Sequence, residues 1–288
     1  MSNITKINRN RSARTSSIMT KSLIHLVLIL GASSMILPFL WMFFMSFKTF
    51  REATAIPIVW LPSKFRIENY FDVLTRLSFG RYLLNTIYVT VVTTVVQLFF
   101  CSITAYGFSK FKFPGRDAMF FMFLCLLMIP AQMVVLPRYF MVIKLGWLNR
   151  YSALIVPHYV SIYGTFLLRQ YFMSLPNELT ESAKIDGCSY IRVYSHILVP
   201  LMANAFIALA IYTIVFNWND LLWPIMVIDK KELRTLAVGI GTLRTDNVQE
   251  NRHLQMTAGV IAMAPLIISF LVGQKYFIRS IALSGIKG

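Results

Sequence analysis

The sequence predicts an all-α integral membrane protein with six transmembrane helices. Of its 288 residues, 57% are hydrophobic and only 14% are charged, against roughly 25% charged in an average soluble domain. The mean hydropathy is +0.62. About 20 consecutive apolar residues suffice to cross a bilayer as a helix. Six apolar stretches reach that length, at residues 22–47, 82–108, 118–140, 151–172, 201–228 and 257–277.

The charges flanking these stretches predict that both chain ends lie in the cytoplasm. Residues 1–21 carry basic residues and no acidic one, and the short turn Lys110–Arg116 is basic as well. Lysine and arginine near the ends of spans tend to stay on the cytoplasmic side. With six spans, we expect a flexible cytoplasmic tail at 1–21, a membrane domain at 22–277 and a second cytoplasmic tail at 278–288.

The second apolar stretch carries many polar side chains for a helix in lipid. Two interpretations are open: hydrogen bonds between neighbouring helices, or the polar lining of a pathway through the membrane. The side chains concerned are Asn85, Thr86, Thr90, Thr93, Thr94 and Gln97.

The third and fourth stretches contain prolines, which remove a backbone hydrogen bond and bend a helix. Pro130 and Pro137 predict a kinked third helix, and Pro157 predicts a bend in the fourth. The neighbouring His158 stands alone, so packing is a more common role for it than ligand binding. In the fifth stretch Asp220 is the only carboxylate within a predicted span, and we expect it to face the bundle or the headgroups.

A short polar stretch interrupts the apolar pattern between the fourth and fifth spans. Residues 181–200 read ESAKIDGCSYIRVYSHILVP. We expect a helix from about Pro176 that ends at Gly187, because glycine adopts a positive φ without strain. A second helix follows, with Ile191, Tyr194 and Leu198 at helical spacing. A docking element at the membrane face has this pattern, and an ordinary surface loop has it too.

The motifs of several catalytic and metal-binding classes are absent from the sequence. There is no glycine-rich phosphate loop ending in Gly-Lys-Ser/Thr, no zinc-binding His-Glu-x-x-His and no Gly-x-Ser-x-Gly nucleophile. The three cysteines have no metal-ligand spacing, and their odd number argues against a disulfide framework. We therefore expect a chain that is not an enzyme and that binds no metal or cofactor itself.

The polar stretch resembles the cytoplasmic coupling loop of permease subunits of binding-protein-dependent ABC importers. That family has Glu-Ala-Ala, three residues, glycine, nine residues and Ile-x-Leu-Pro. Ser182 replaces the first alanine of the pattern and Val199 replaces the leucine. The matching positions, including an aspartate that suits the pattern, are Glu181, Ala183, Asp186, Gly187, Ile197 and Pro200.

Further segments along the chain look like the sugar-importing, maltose-type class of that family. They include Trp60-Leu61-Pro62, Lys112-Phe113-Pro114-Gly115-Arg116, Leu145-Gly146-Trp147-Leu148-Asn149 and Trp218-Asn219-Asp220. The ending is similar to that of the MalG-like subunit, and the resemblance makes Gly285, Lys287 and Gly288 a second coupling candidate. It also implies the fold of a type I ABC importer permease with cytoplasmic coupling helices at 176–200.

The resemblance further implies the partners and the cargo. They are a second permease subunit in a heterodimer, two ATPase subunits that use ATP and Mg, and an extracytoplasmic solute-binding protein, at the bacterial cytoplasmic (inner) membrane. A sugar pathway needs hydrogen-bonding and aromatic side chains. The candidates are Asn85, Gln132, Asn217, Asn219 and Asp220. The alternatives are a stand-alone secondary transporter or channel, which would need ion-coupling carboxylates or internal repeats, and an accessory membrane protein.

Overall fold

The structure, a computed structural model, is almost entirely helical. It describes the backbone of residues 2–75, 77–246 and 252–285, and the side chains of residues 20–75, 77–243, 252–271 and Gln274. No strand occurs within those ranges. The helices are α1 (Ser2–Ser46), α2 (Phe50–Thr54), α3 (Glu68–Thr75), α4 (Phe79–Lys110), α5 (Arg116–Cys125), α6 (Ala131–Lys144), α7 (Tyr151–Ile155), α8 (Ile162–Ser174), α9 (Glu178–Ile185), α10 (Tyr190–Arg192), α11 (Val199–Leu201), α12 (Ala203–Trp218), α13 (Leu222–Val227), α14 (Leu236–Asp246) and α15 (Arg252–Gly285).

The chain forms two compact units. The first consists of Met1–Tyr70 with Gln249–Val260, and the second of Phe71–Val248 with Ile261–Gly288. The predicted coupling loop and all of the predicted pathway residues belong to the second unit.

In the first unit, polar contacts fix the segment that follows α1. Lys48 is fully buried and donates a hydrogen bond to the carbonyl of Val59. Thr49 and Glu52 form a capping box at the start of α2, and Glu52 also accepts a 3.0 Å hydrogen bond from the backbone of Ser63. Hydrogen bonds to its carboxylate lower the pKa of Glu52 to about 2, and the hydrogen bond from the Ser63 hydroxyl makes the largest contribution.

In the second unit, α4 is the central helix and packs against α8, α12 and α14. Two apolar clusters lie along it. One surrounds the C-terminal half of α4 and includes Cys101, Ala105 and Tyr106. The other surrounds Val89 and includes Trp223 of α13. The buried polar residues of α4 run from Asn85 to Gln97. They begin beside the Val89 cluster and extend along the helix towards Cys101.

The helical lengths fit a membrane protein. Among the described residues, three helical segments are individually long and apolar enough to cross a bilayer: Thr20–Ser46, Phe79–Lys110 and Arg252–Leu271. Three bent pairs reach the same criterion when each is taken as one span, which gives up to six spans. The pairs are Arg116–Met128 with Ala131–Lys144, Tyr151–His158 with Ile162–Ser174, and Tyr190–Leu201 with Ala203–Trp218.

The breaks in these pairs explain where the predicted spans differ from the structure. The third span is bent by 100° just before Pro130, so it is a broken helix rather than a kinked one, while Pro137 lies inside α6. The fourth span is bent by 41° between His158 and Ile162, just after Pro157, and this confirms the predicted bend in that span. The predicted fifth span, 201–228, is divided after Trp218, and α13 forms a separate short helix.

At the chain ends, the tail predicted at 1–21 has helical backbone from Ser2 onwards. The helix continues into the first span, because no proline or glycine interrupts the sequence before Gly31. At the other end, α15 runs to Gly285. Lys287 and Gly288 lie outside the described residues.

Candidate functional site

The polar stretch between α8 and α12 folds as a helix, a tight turn and a second helix. Its first helix, α9, begins at Glu178, two residues after the expected start at Pro176. Glu178 and Glu181 lie in the first turn, where carboxylates interact favourably with the positive end of the helix dipole. Thr180 and Ala183 are the buried residues of this helix.

Gly187 ends α9 in the way that the sequence predicts. Its φ is +79°, in the left-handed region that favours glycine. Its backbone N–H donates to the carbonyl of Lys184 at 3.0 Å, and that of Cys188 donates to the carbonyl of Ala183 at 2.9 Å. These two hydrogen bonds form a Schellman motif, which satisfies carbonyls at the helix end and reverses the chain direction.

The second helix has π geometry over Val193–Leu198, between the short helices α10 and α11. Pro200 follows it and cannot donate a hydrogen bond to the carbonyl four residues earlier, which favours the wider turn. The buried residues, Val193 and Leu198, are five positions apart. Of the three residues that the sequence places at helical spacing, Leu198 is buried, whereas the side chain of Ile191 is 78% exposed.

Both helices of the stretch are tied to the C-terminal end of α4. The ammonium of Lys110 donates to the carbonyl of Leu175 and to Oδ1 of Asn177, each at 3.0 Å. The hydroxyl of Tyr106 donates to the carbonyl of Tyr190 at 3.2 Å. Specific hydrogen bonds therefore join the stretch to α4 on either side of the glycine turn.

The stretch also shares an apolar core with the long helices. Ala183, Val193 and Leu198 are buried in it, and Ile197 packs against it half-buried. Small size at Ala183 therefore serves internal packing rather than contact with a partner. The other buried members are Cys101, Ala105, Tyr106, Leu168, Phe172, Met202, Ala205 and Leu209.

The opposite face of the stretch is uncovered. Glu181, Ser182 and Asp186 are exposed there. The side chain of Ile185 is 87% exposed, and that of Ile191 is 78% exposed.

A basic recess lies beside α9. Its volume is about 590 Å³, and it is lined on one side by the turn after α4 and on the other by α9. A partner inserted here would match the surface best with acidic groups. The charged lining residues are Lys110, Lys112, Arg116, Lys184 and Glu181.

The polar face of α4 divides into a bonded and an unbonded part. Asn85 donates to the carbonyls of Glu232 and Arg234, each at 2.9 Å, and accepts from the hydroxyl of Tyr151 at 2.8 Å. Its amide is therefore occupied by interhelical contacts, as one of the two interpretations expects. On α4, the buried hydroxyls with no hydrogen-bond partner among the described residues are those of Thr90, Thr93 and Thr94.

The other four predicted pathway residues are not gathered into one site. Gln132 is exposed on α6. Asn217 and Asn219 donate to carbonyls one helical turn earlier, at 3.0 and 2.8 Å. Asp220 accepts from the backbone N–H of Trp223 at 3.3 Å and so caps the start of α13. Their assignment to a pathway stays a prediction.

Sequence reasoning missed a polar cavity between the broken helices. Its volume is about 160 Å³, and Gln97, Arg138, His158 and Thr213 line it. The signal available in the sequence was an arginine inside an apolar stretch, since charged residues in spans are rare and usually functional. The pairing of Arg138 with His158, 20 positions apart, becomes visible only in three dimensions.

A family model matches residues 97–283 of the chain, and its description is "Binding-protein-dependent transport system inner membrane component". The matched region contains the coupling loop and the polar cavity.

Full-length relatives are similar over most of both chains. The arabinooligosaccharides transport system permease protein AraQ of Halalkalibacterium halodurans is 32% identical over 256 residues, 88% of this chain and 91% of that protein. The sn-glycerol-3-phosphate transport system permease protein UgpE of Escherichia coli is 30% identical over 264 residues, 89% and 94%.

One solved structure shares the fold. It is the crystal structure of a bacterial ABC transporter involved in the import of the acidic polysaccharide alginate. A chain of it aligns with a TM-score of 0.80 at 23% identity, over 91% of this chain and 98% of its own length.

Proposed function

Since this chain belongs to the family of binding-protein-dependent transport system inner membrane components, we propose that it forms one half of the pathway of an ATP-driven sugar importer. It is a multi-pass inner membrane protein with the fold of an ABC importer permease. It is not an enzyme, because permease subunits leave ATP hydrolysis to separate ATPase subunits.

The proposed topology has six spans, with each bent pair crossing once. Both termini then lie in the cytoplasm, with a tail at 1–21, the membrane domain at 22–277 and a tail at 278–288. The coupling loop at 176–200 shares the cytoplasmic side. The up to six spans of suitable length and composition support this arrangement.

The coupling loop is proposed to carry the motion of an ATPase subunit into the membrane. The observation that supports this most directly is the double attachment of the loop to α4, through Lys110 and Tyr106. A lever must be stiff and fixed at one end, and the shared apolar core supplies both properties. The exposed face around Glu181 and Ile185 is the part available to the ATPase, with Gly285, Lys287 and Gly288 as a second contact.

The complete importer is proposed to contain four further polypeptides. They are a second permease subunit, two ATPase subunits that use ATP and Mg, and a solute-binding protein on the outer face. Alternating access would arise as the two permeases rock against each other. A sugar or sugar derivative as cargo is supported by the names of the relatives, which specify arabinooligosaccharides and sn-glycerol-3-phosphate.

The test compares sugar uptake into proteoliposomes that contain this chain alone with uptake by the complete importer. We expect uptake only with all subunits present and ATP inside. Replacing Gly187 by tryptophan is expected to leave membrane insertion intact and to uncouple ATP hydrolysis from uptake. Transport by the chain alone would instead establish a secondary transporter, which the names of AraQ and UgpE as transport system permease proteins do not support.

A further inference from the structure

The polar cavity lies in the second unit, and the apolar helices α4, α6 and α12 contribute to its lining. Arg138 contributes its guanidinium from α6, two turns before that helix ends at Lys144. Gln97 reaches it from α4, and Thr213 from α12. An arginine at such a position cannot face lipid without a large energetic cost. The cavity must therefore open towards the interior of the transporter.

The direct contacts of Arg138 are with an aromatic ring and a histidine, and none of them is with a carboxylate. The guanidinium lies 4.3 Å from the ring centroid of Trp223 and 3.3 Å, through Nη2, from Nε2 of His158. Nδ1 of His158 lies 3.0 Å from the carbonyl of Leu154, which accepts its proton. Arginine only donates, so Nε2 must be the unprotonated nitrogen and His158 is neutral.

Two polar atoms in the cavity have no partner among the described residues. They are Nε of Arg138 and the hydroxyl of Thr213, and both are buried. Asp220 attracts Arg138 electrostatically, but from beyond the 4.0 Å of a direct ion pair, so it does not occupy the guanidinium donors. A buried guanidinium normally has acceptors for its donors, because an unpaired buried charge is costly. A group that brings two or more oxygen acceptors would complete the site.

From this geometry we infer that the cavity binds the oxyanion, carboxylate or phosphate, of an acidic sugar during its passage. This inference rests on the proposed function and specifies its substrate class. The planar guanidinium fork matches both oxyanions. Gln97 and Thr213 would bind sugar hydroxyls. At the mouth, the half-exposed rings of Tyr212 and Phe216 stack 6.4 Å apart and offer apolar faces to the sugar ring.

The experiment measures ATP-dependent uptake by the complete importer in proteoliposomes. Two matched pairs of probes separate the oxyanions: digalacturonate against galactobiose, and glucose 6-phosphate against glucose. The variants are Arg138→Gln and Thr213→Val, and the control is Arg150→Gln, which changes an exposed arginine outside the cavity. Thr213→Val is nearly isosteric and removes only the unpartnered hydroxyl.

We expect uptake of at least one acidic probe in preference to its neutral counterpart. Arg138→Gln should lower that uptake by about tenfold to a hundredfold, as expected for loss of a charged hydrogen bond. Thr213→Val should raise the KM for the same probe severalfold, which keeps the inference testable if Arg138→Gln fails to reach the membrane. Arg150→Gln should change neither.

Three outcomes would overturn the inference. In the first, only neutral sugars are taken up, and the proposed function then stands without it. In the second, Arg138→Gln reduces acidic and neutral uptake equally. In the third, no probe is taken up although the importer takes up an arabinooligosaccharide with ATP, and the proposed function again stands without the inference.

Discussion

The glycine turn of the coupling loop permits a graded test of coupling. A Cβ at Gly187 would meet no atom within 4 Å, so the cost of a substitution comes from the φ of +79° alone. For alanine this cost is roughly 1–2 kcal/mol, which shifts the population of the turn by a factor of about 5–30. Asparagine tolerates this conformation better. Proline cannot adopt it and also loses the hydrogen bond to Lys184.

The assay is the number of sugar molecules imported per ATP hydrolysed in proteoliposomes with the complete importer. We expect this ratio to decrease in the order glycine, asparagine, alanine, proline. Gly146→Ala is the matched control, because Gly146 ends α6 in the same Schellman geometry at φ +65°, also with nothing within 4 Å of its Cβ. It should lower stability equally without changing the ratio. If Gly187→Pro imported as many sugar molecules per ATP hydrolysed as the unchanged protein, the proposed role of the loop as a lever would be refuted.

Two further predictions concern packing and pH. Ala183→Leu should lower the unfolding temperature in detergent, because overpacking a buried site costs about 1–3 kcal/mol, whereas the exposed Ser182→Leu should keep that temperature and reduce co-purification of the ATPase. The carboxylate of Glu52 has a folded-state pKa of about 2, below its ordinary value of 4.5. The charged Glu52 therefore contributes its full stabilisation above pH 4.5, and this contribution is lost as the pH falls towards about 2. Glu52→Gln should flatten the decrease in unfolding temperature over that interval, and a parallel decrease in both proteins would contradict this assignment.

The local chemistry of the coupling loop could be predicted from the sequence. Positive φ at Gly187 follows from the residue type and its position after a helical run, and the structure confirms it. The bend just after Pro157 could be predicted from the sequence in the same way. Both depend on backbone rules that act over a few residues.

The features that could not be predicted from the sequence depend on contacts between distant segments or on effects that accumulate over several residues. The π geometry before Pro200 shifts the buried face from Ile191 to Val193, which a 3.6-residue period does not anticipate. Ala183 packs inward because it belongs to an apolar cluster that residues of α4, α8 and α12 also form, which local sequence does not reveal. Arg138 and His158 meet only because the third and fourth apolar segments are both broken.

The unbonded part of α4 has a mechanical consequence. Thr90, Thr93 and Thr94 are buried against neighbours and form no hydrogen bond with them among the described residues. Neighbouring helices can therefore slide past this zone without breaking a bond. Closer to the two ends of α4, Asn85 and Tyr106 are bonded to other segments. The helix is thus hydrogen-bonded to other segments near both ends, but not at these three threonines. We therefore expect sliding between α4 and its neighbours to concentrate at the threonines.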